Sequence, residues 1–160
     1  MLELAINHKE ALNKEYQMAL QKQSNLFFSG SEWDYYELKL DDSDYYKIQY
    51  VSVDSNSNIL GYFSAKINRN SNIITGIEVI KFKENTLASL DLFRFLKKIY
   101  EMPVVKIEWW VIRGNEAEKL YDKVISKYSG KKIGLYEKSI KLKDGKYYDK
   151  VFYEIIKENE

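Results

Sequence analysis

The chain has 160 residues, the size of one domain, with 45% hydrophobic and 31% charged residues, an ordinary balance for a globular protein. It contains no Cys and a single His, His8, which excludes disulfides, thiolate chemistry and multi-histidine metal sites. Its 25 basic and 24 acidic side chains give a net charge of +1, so the basic excess typical of a nucleic-acid-binding protein is missing.

The sequence also bears on compartment and origin. No apolar run is long enough to predict a transmembrane helix, and the first residues, Met1 to Leu4, do not resemble a signal peptide. We therefore expect a cytoplasmic protein without membrane contact. Abundant Lys, Asn, Ile and Tyr beside scarce Arg are typical of an AT-rich coding genome, such as that of a low-GC bacterium or its phage.

The first half of the chain predicts a helix followed by a meander. Helical spacing of apolar residues covers about Asn7 to Gln23, with Asn7 as the N-cap. Residues 25–44 carry mixed signals, and Trp33 to Leu40 fits either a strand or a short helix. Three strands joined by short polar turns then predict an antiparallel meander over Tyr45 to Val53, Ile59 to Ile67 and Ile73 to Phe82.

The periodicity then changes to that of helices. Thr86 to Tyr100 predicts a broadly apolar helix, and Val104 to Ile112 predicts a long apolar strand. Glu116 to Tyr128 predicts an amphipathic helix with one apolar stripe, capped by Asn115.

The chain ends in a predicted hairpin, with strands over Ile133 to Leu142 and Tyr147 to Ile156 around an Asp-Gly turn. The element order is a helix, an undecided segment, and then β-β-β-α-β-α-β-β. It predicts an α/β fold in which a mixed sheet has helices on both faces, because the strand over Val104 to Ile112 should run parallel to the third meander strand through a right-handed crossover. No repeat or linker divides the chain, so residues 1–160 are predicted to form one domain.

From Tyr45 to Ile156 the sequence resembles the GNAT (Gcn5-related) N-acetyltransferase superfamily. The stretch Gly114 to Lys123 carries most of the similarity, since the family commonly has Asn before a helix that contains Ala and Leu-Tyr. The tail from Gly134 to Tyr153 is similar to the final hairpin of the ribosomal-protein and polyamine acetyltransferase branches. The resemblance implies transfer of an acetyl group from acetyl-CoA to an amine, without a metal. The acceptor would be a small amine, a peptide N-terminus or a lysine.

The resemblance also implies where acetyl-CoA would bind. In the family, the third meander strand and the next strand separate, the acetyl group and pantetheine lie in the gap, and the pyrophosphate sits at the N-terminus of the following helix. By this resemblance the cofactor-binding residues are Ile80, Phe82, Lys83, Asn85, Thr86, Leu87, Ala88 and Asn115.

The phosphate-binding loop departs from the family pattern. Only Ala88 matches it outright, because Lys83 replaces the usual Arg or Gln and Thr86 replaces Gly. The Thr86 hydroxyl could donate to a phosphate, or its side chain could block the site, and Glu84 adds a negative charge. Two functions therefore stay open: an N-acyltransferase, or a catalytically inactive binding or regulatory module of the same fold with a protein or nucleic-acid partner.

Three residues are candidates for the chemistry. By resemblance, Tyr121 is the general acid that protonates the departing thiolate of CoA, although its place in an apolar stripe is equally explained by packing. Glu78 and Glu108 interrupt apolar runs on the two strands that should separate. Either could accept the proton of the acceptor amine, or each could pair with a Lys or lie at a solvated edge. Asn115 likewise has two roles open, contact with pantetheine and N-capping.

Two further patterns bear on partners. Trp109 and Trp110 point to opposite faces of their strand, so one is expected in the core while the other packs there too or lines the acceptor cleft. The lysines between Lys131 and Lys146 make the last hairpin basic, which could serve RNA, DNA or a ribosomal partner, although the near-zero net charge argues against nucleic acid. Family members often form homodimers through sheet edges or this hairpin.

Overall fold

The computed structural model describes residues 1–22, 37–41, 43 and 45–157. The strands are β1 (Leu2–Leu4), β2 (Lys47–Val53), β3 (Ile59–Asn68), β4 (Ile73–Lys81), β5 (Lys106–Ile112), β6 (Lys131–Lys141) and β7 (Tyr147–Ile156). The α-helices are α1 (Lys9–Gln21), α2 (Thr86–Tyr100) and α3 (Ala117–Lys127).

The strands form a seven-stranded sheet in the order β1-β2-β3-β4-β5-β7-β6. All neighbours are antiparallel except β4 and β5, which run parallel and are joined through α2. The predicted mixed α/β fold is thereby confirmed, and the predicted strands and helices from β2 onward end within a few residues of the observed bounds.

Near the N-terminus one strand was missed in the sequence and one helix cap was predicted at the wrong residue. The strand β1, which pairs with β2 so that Glu3 lies opposite Val51, was not predicted, because its three residues are too few to show alternation. Asn7 is not an N-cap, since it lies inside a 3₁₀ turn over Ala5–His8 and α1 begins only at Lys9.

Part of the undecided segment lies outside the described residues. Of the stretch from Trp33 to Leu40, residues 37–40 are described, and they form neither helix nor strand. Leu38 is buried, and its backbone N–H donates to Oδ1 of Asn13 in α1 at 2.9 Å. This contact fixes the chain that enters β2 against α1.

Apolar side chains on the two faces of the sheet form two cores. On one face, α2 and α3 pack over β2–β5 and β7, with Phe63, Ile74, Phe95, Trp109 and Tyr153 in the buried cluster. On the other face, α1 packs against β2 and β3. That cluster includes Leu12, Tyr16, Val51 and Tyr62. Burying one such side chain contributes roughly 1.5–3 kcal/mol, so both helix layers are held chiefly by apolar contact.

The pairing of β4 with β5 is much shorter than either strand. Their register contains only Ile73 opposite Lys106 and Ile74 opposite Ile107, whereas β4 continues along β3 and β5 continues along β7. A bulge in β4 follows the last pair, where Gly76 has a φ of +59° and the register with β3 shifts. An extra residue bends its strand, so β4 and β5 separate toward their carboxyl ends.

A buried carboxylate ties α2 to β2. The Asp91 side chain is fully buried, accepts a hydrogen bond from Ser52 Oγ at 2.8 Å and pairs with Arg94 Nη1 at 2.7 Å. The amino group of Met1 lies 3.1 Å from the same carboxylate. Burial acts to raise the pKa of Asp91, but these hydrogen bonds outweigh it and lower that pKa below its ordinary value.

Candidate functional site

The gap between β4 and β5 opens toward the N-termini of two helices. Because the two strands are parallel, their carboxyl ends lie at the same edge of the sheet, and α2 and α3 follow those ends. At the opposite end of the helices, the rings of Tyr100 and Tyr128 stack with centroids 4.0 Å apart. The result is a wedge, closed where Ile74 meets Ile107 and open at the helix N-termini.

The start of α2 offers hydrogen-bond donors to an anion. Asn85 caps the helix, because its Oδ1 accepts from the backbone N–H of Leu87 at 2.7 Å. The other first-turn amides have no acceptor within the helix, and the Thr86 side chain is exposed beside them. Lys81 Nζ lies 3.2 Å from Ser89 Oγ, and Lys83 Nζ lies 3.8 Å from the Glu15 carboxylate of α1. This donor set suits a phosphate.

The other residues assigned to cofactor binding differ in how far their side chains are buried. Ile80 and Phe82 pack against the core on the α1 face of the sheet. Leu87 is half-buried. Ala88 is fully buried, so only its main chain could contact a ligand.

Asn115 lies in the turn before α3, one residue ahead of Glu116, which flanks the helix. Its Oδ1 accepts from the backbone N–H of Ala117 at 2.9 Å, and the Glu118 carboxylate accepts from the backbone N–H of Gly114. These two hydrogen bonds satisfy amides at the helix entry and hold the turn that leads into α3. Contact between Asn115 and pantetheine stays a prediction.

Tyr121 belongs to the packed core on the helix face. Its residue is 4% exposed, and its ring lies 5.6 Å from that of Trp109 and 5.8 Å from that of Tyr153. Burial alone raises the pKa of Tyr121, so its hydroxyl stays protonated at neutral pH and is a proton donor rather than a base. Beside it, Trp109 Nε1 is buried and has no hydrogen-bond partner among the described residues.

A small cavity adjoins these rings. Its volume is about 10 Å³, and its lining includes Ile77, Trp109 and Tyr121. Such a cavity holds at most one water molecule. A substrate that reaches Tyr121 must therefore enter through the gap between the strands rather than through a preformed pocket on the helix face.

The two candidate bases lie on the other face of the sheet. Glu78 accepts a hydrogen bond from Ser64 Oγ at 2.6 Å, with Lys47 Nζ at 3.5 Å, and its side chain is 24% exposed. Glu108 lies 2.7 Å from Lys106 Nζ and its side chain is 39% exposed. Both carboxylates thus follow the point where β4 and β5 separate, and each is paired with a Lys.

The sheet face opposite α2 and α3 continues across β5, β7 and β6. We call this part of it the Lys150 face, and it is formed by the side chains of Glu108, Trp110, Tyr136, Lys150, Phe152 and Glu154. Trp110 is half-buried there, while Trp109 is in the opposite core, which confirms that the two indoles point to different faces.

Glu154 is the centre of an ion network at one end of this face. Lys106 Nζ and Lys131 Nζ lie 3.3 and 3.2 Å from its carboxylate. Burial acts to raise the pKa of Glu154, but the hydrogen bonds from Lys131 and Lys106 outweigh it and lower that pKa. The same contact neutralises part of the basic hairpin, as does the pairing of Lys132 with Asp122 at 2.9 Å.

Two features are missing from the described residues. None of their helices combines the length and the apolar character that crossing a membrane requires. In the same part of the chain, no cluster of three or more His, Cys, Asp or Glu side chains is placed to hold a metal ion.

Comparison with known proteins rests on structure. No protein-family model and no curated protein matches the sequence. A point mutant of spermidine N-acetyltransferase from Vibrio cholerae superposes with a TM-score of 0.65 and 16% identity, over 98% of this chain and 94% of that enzyme. The chain has the GNAT fold.

Other solved structures with the GNAT fold are also similar to this chain. A probable GNAT-family acetyltransferase from Chromobacterium violaceum gives a TM-score of 0.60 at 16% identity, over 98% of this chain and 85% of that one. A GCN5-related N-acetyltransferase from Brucella melitensis gives a TM-score of 0.63 at 15% identity, over 97% of this chain and 74% of that one. Further alignments with the Vibrio cholerae enzyme cover 71% of this chain and 66–69% of the enzyme.

Within the GNAT fold, the predicted residues fall in three places. The loop 83–88 and Asn115 lie at the open edge of the wedge, Tyr121 lies on the helix face, and Glu78 and Glu108 lie on the opposite face. Sequence reasoning missed Ser64, Lys150 and Glu154. The alternation of β7, in which polar or half-exposed residues lie between Val151, Tyr153 and Ile155, was a signal that could have found Lys150 and Glu154.

Proposed function

We propose that the chain transfers an acetyl group from acetyl-CoA to a primary amine. The observation that supports this most directly is the gap between β4 and β5, which begins after Ile74 and Ile107. It has a buried phenol on one side of the sheet and paired carboxylates on the other. A thioester carbon held in such a gap can be attacked by an amine from one face while the sulfur leaves toward the other.

The open edge of the wedge suits the diphosphate of CoA. First-turn amides of α2, the Thr86 hydroxyl, Lys81 and Lys83 together offer donors and positive charge. When bound there, acetyl-CoA supplies the activated acyl group. The main chain of Ala88 and the exposed Thr86 side chain would lie nearest the phosphates.

Glu78 is the residue we assign to remove the proton from the amine. Ser64 Oγ donates the hydrogen bond that orients its carboxylate, Lys47 Nζ lies 3.5 Å away, and the side chain is only partly exposed. Glu108 is a weaker choice, because Lys106 at 2.7 Å covers one of its oxygens and it is the more exposed of the two side chains. The neutral amine then forms the C–N bond as the C–S bond breaks.

We assign Tyr121 the role of stabilising the thiolate of CoA as it leaves. Its pKa lies above the ordinary value of a phenol, and hence above that of a thiol, so the hydroxyl keeps its proton and stabilises the thiolate by donating a hydrogen bond. A water or buffer acid completes the protonation of CoA. The products are the N-acetylated amine and free CoA.

A second candidate is an inactive module with the same fold. The Asn85 side chain already occupies the amide of Leu87, Lys83 is paired with Glu15, and Glu84 adds a negative charge at the same loop. Each of these weakens the attraction for a diphosphate.

Calorimetric titration with acetyl-CoA and with CoA separates the two candidates. Saturable binding at micromolar strength, followed by acetylation in a panel of amines, supports the transferase. Absence of both heat and thermal stabilisation up to millimolar ligand contradicts it and favours the inactive module. A titration with ATP is the control for binding of phosphates alone.

A further inference from the structure

The Lys150 face carries a cation that has no carboxylate beside it among the described residues. Lys150 Nζ lies 4.1 Å above the ring centroid of Trp110, and the residue is half-buried. Among the described residues Lys150 forms no ion pair, and burial lowers its pKa. A partly desolvated ammonium is unfavourable unless an anion or an aromatic face compensates it, and Trp110 supplies only the weaker of the two.

Three carboxylates on the same side of the sheet are already paired with lysines. Glu78 has Lys47 at 3.5 Å, Glu108 has Lys106 at 2.7 Å, and Glu154 has two lysines within 3.3 Å. A polycationic acceptor would therefore have to displace a Lys from each carboxylate it approached. It would also meet the uncompensated charge of Lys150.

Lys150 lies on β7, one strand away from the gap between β4 and β5. In the sheet register it lies opposite Ile112, the last residue of β5, and it covers Trp110 of the same strand. Phe152 lies opposite Trp110, and its ring is 4.4 Å from that of Tyr136. Together with Trp110, these rings make the surface around Lys150 partly apolar, and lower local polarity strengthens the attraction of an ammonium for an anion.

We propose that Lys150 binds an anionic group of the acceptor, so that the substrates are amines that also carry a carboxylate, as amino acids do. This rests on the proposed acetyl transfer and names its substrate class. The amine would reach the gap from the side of Glu78 while its carboxylate accepts a charge-assisted hydrogen bond from Lys150. A phosphate of CoA has the same chemistry, but the α2 N-terminus is assigned to it, so the test must separate these two sources.

Matched pairs of acceptors test the proposal. L-lysine differs from cadaverine, and L-phenylalanine from phenethylamine, by the carboxylate alone. We expect at least one carboxylated member to have a kcat/KM about tenfold or more above its partner, the effect of one hydrogen bond to a charged group. Spermidine should be a poorer substrate than that amino acid.

The variant Lys150→Met keeps an apolar stem over Trp110 and removes the charge. It should reduce the preference for the carboxylated amine about tenfold, through a higher KM, and leave the affinity for acetyl-CoA unchanged. Lys146→Met, in the exposed hairpin turn, is the matched control and should leave the preference intact. The proposal is overturned if the decarboxylated amines are preferred. It is also overturned if the preference for the carboxylated amines is unchanged in Lys150→Met. Loss of CoA affinity in Lys150→Met with the preference intact assigns the lysine to phosphate and also overturns it.

Calorimetry of the same four amines, with and without CoA, makes the result independent of turnover. Tighter binding of an amino acid than of its decarboxylated partner, lost in Lys150→Met, supports the proposal. Equal or undetectable binding of both members in both pairs contradicts it. Because CoA binding is measured separately, failure of the acetyl-transfer proposal is distinguishable from failure of this one.

Discussion

The Tyr121 hydroxyl can be removed without altering the shape of the ring that packs against Trp109 and Tyr153, so Tyr121→Phe separates chemistry from packing. The ring contacts at 5.6 and 5.8 Å are kept, and the free energy of unfolding should change by less than about 1 kcal/mol. Loss of one donor to a developing anion should lower kcat about a hundredfold, or about 2.7 kcal/mol at 1.36 kcal/mol per tenfold.

The assay compares kcat, KM and urea unfolding for the wild type, Tyr121→Phe and Tyr128→Phe. Tyr128 lies at the end of the same helix and stacks on Tyr100 away from the open edge, so its variant controls for the loss of a phenol from α3. An unchanged kcat in Tyr121→Phe refutes the assignment to the leaving sulfur. Parallel loss of kcat and stability would instead show that the hydroxyl serves the core.

Three further changes have defined outcomes. Gly130→Ala should lower the free energy of unfolding by about 2 kcal/mol, because a Cβ there would lie 2.6 Å from a carbonyl oxygen of β7. The control is Gly134→Ala, which should be nearly neutral because no atom lies within 4 Å of its Cβ. Equal urea midpoints for the two variants would contradict this. Thr86→Gly should weaken acetyl-CoA binding a few-fold in calorimetry because a hydroxyl donor to phosphate is lost, and tighter binding would instead show that the side chain crowds the phosphates. Asp91→Asn should cost about 2 kcal/mol near pH 7. Because the folded pKa of Asp91 is lowered, this stabilisation is complete above its unfolded pKa and disappears as the pH falls through the folded value, so unfolding curves of the two proteins should converge in acid.

The later two-thirds of the fold could be predicted because its pattern is local. The polar turns between β2, β3 and β4 and the change to helical spacing at Thr86 are visible in a few residues each, and α2 has the predicted bounds. The parallel pairing of β4 with β5 followed from chain order alone. By contrast, β1 is stabilised by pairing with β2, a contact some 50 residues away that no local pattern contains.

The candidate site was predictable in its positions but not in its electrostatics. The predicted strands, together with the gap that the GNAT resemblance implied, placed Glu78 and Glu108 beside that gap, and helical spacing placed Tyr121 in a stripe. Which cation faces each carboxylate depends on register across strands, so the link from Lys106 to Glu154 was invisible in the sequence. That Lys150 faces Trp110, and no carboxylate among the described residues, likewise depends on contacts between strands.

The short pairing between β4 and β5 has a consequence for hydrogen exchange. Amides in the middle of a sheet usually exchange slowest, because ladders on both sides must open together. Here β4 and β5 share only two residue pairs. Beyond Ile74 and Ile107, the amides of each strand that face the other strand therefore have no hydrogen-bond partner in it. The slowest exchange should therefore be found in β3 and β7, one strand away on either side. Although β4 and β5 lie inside the sheet, their amides should exchange at rates typical of edge strands.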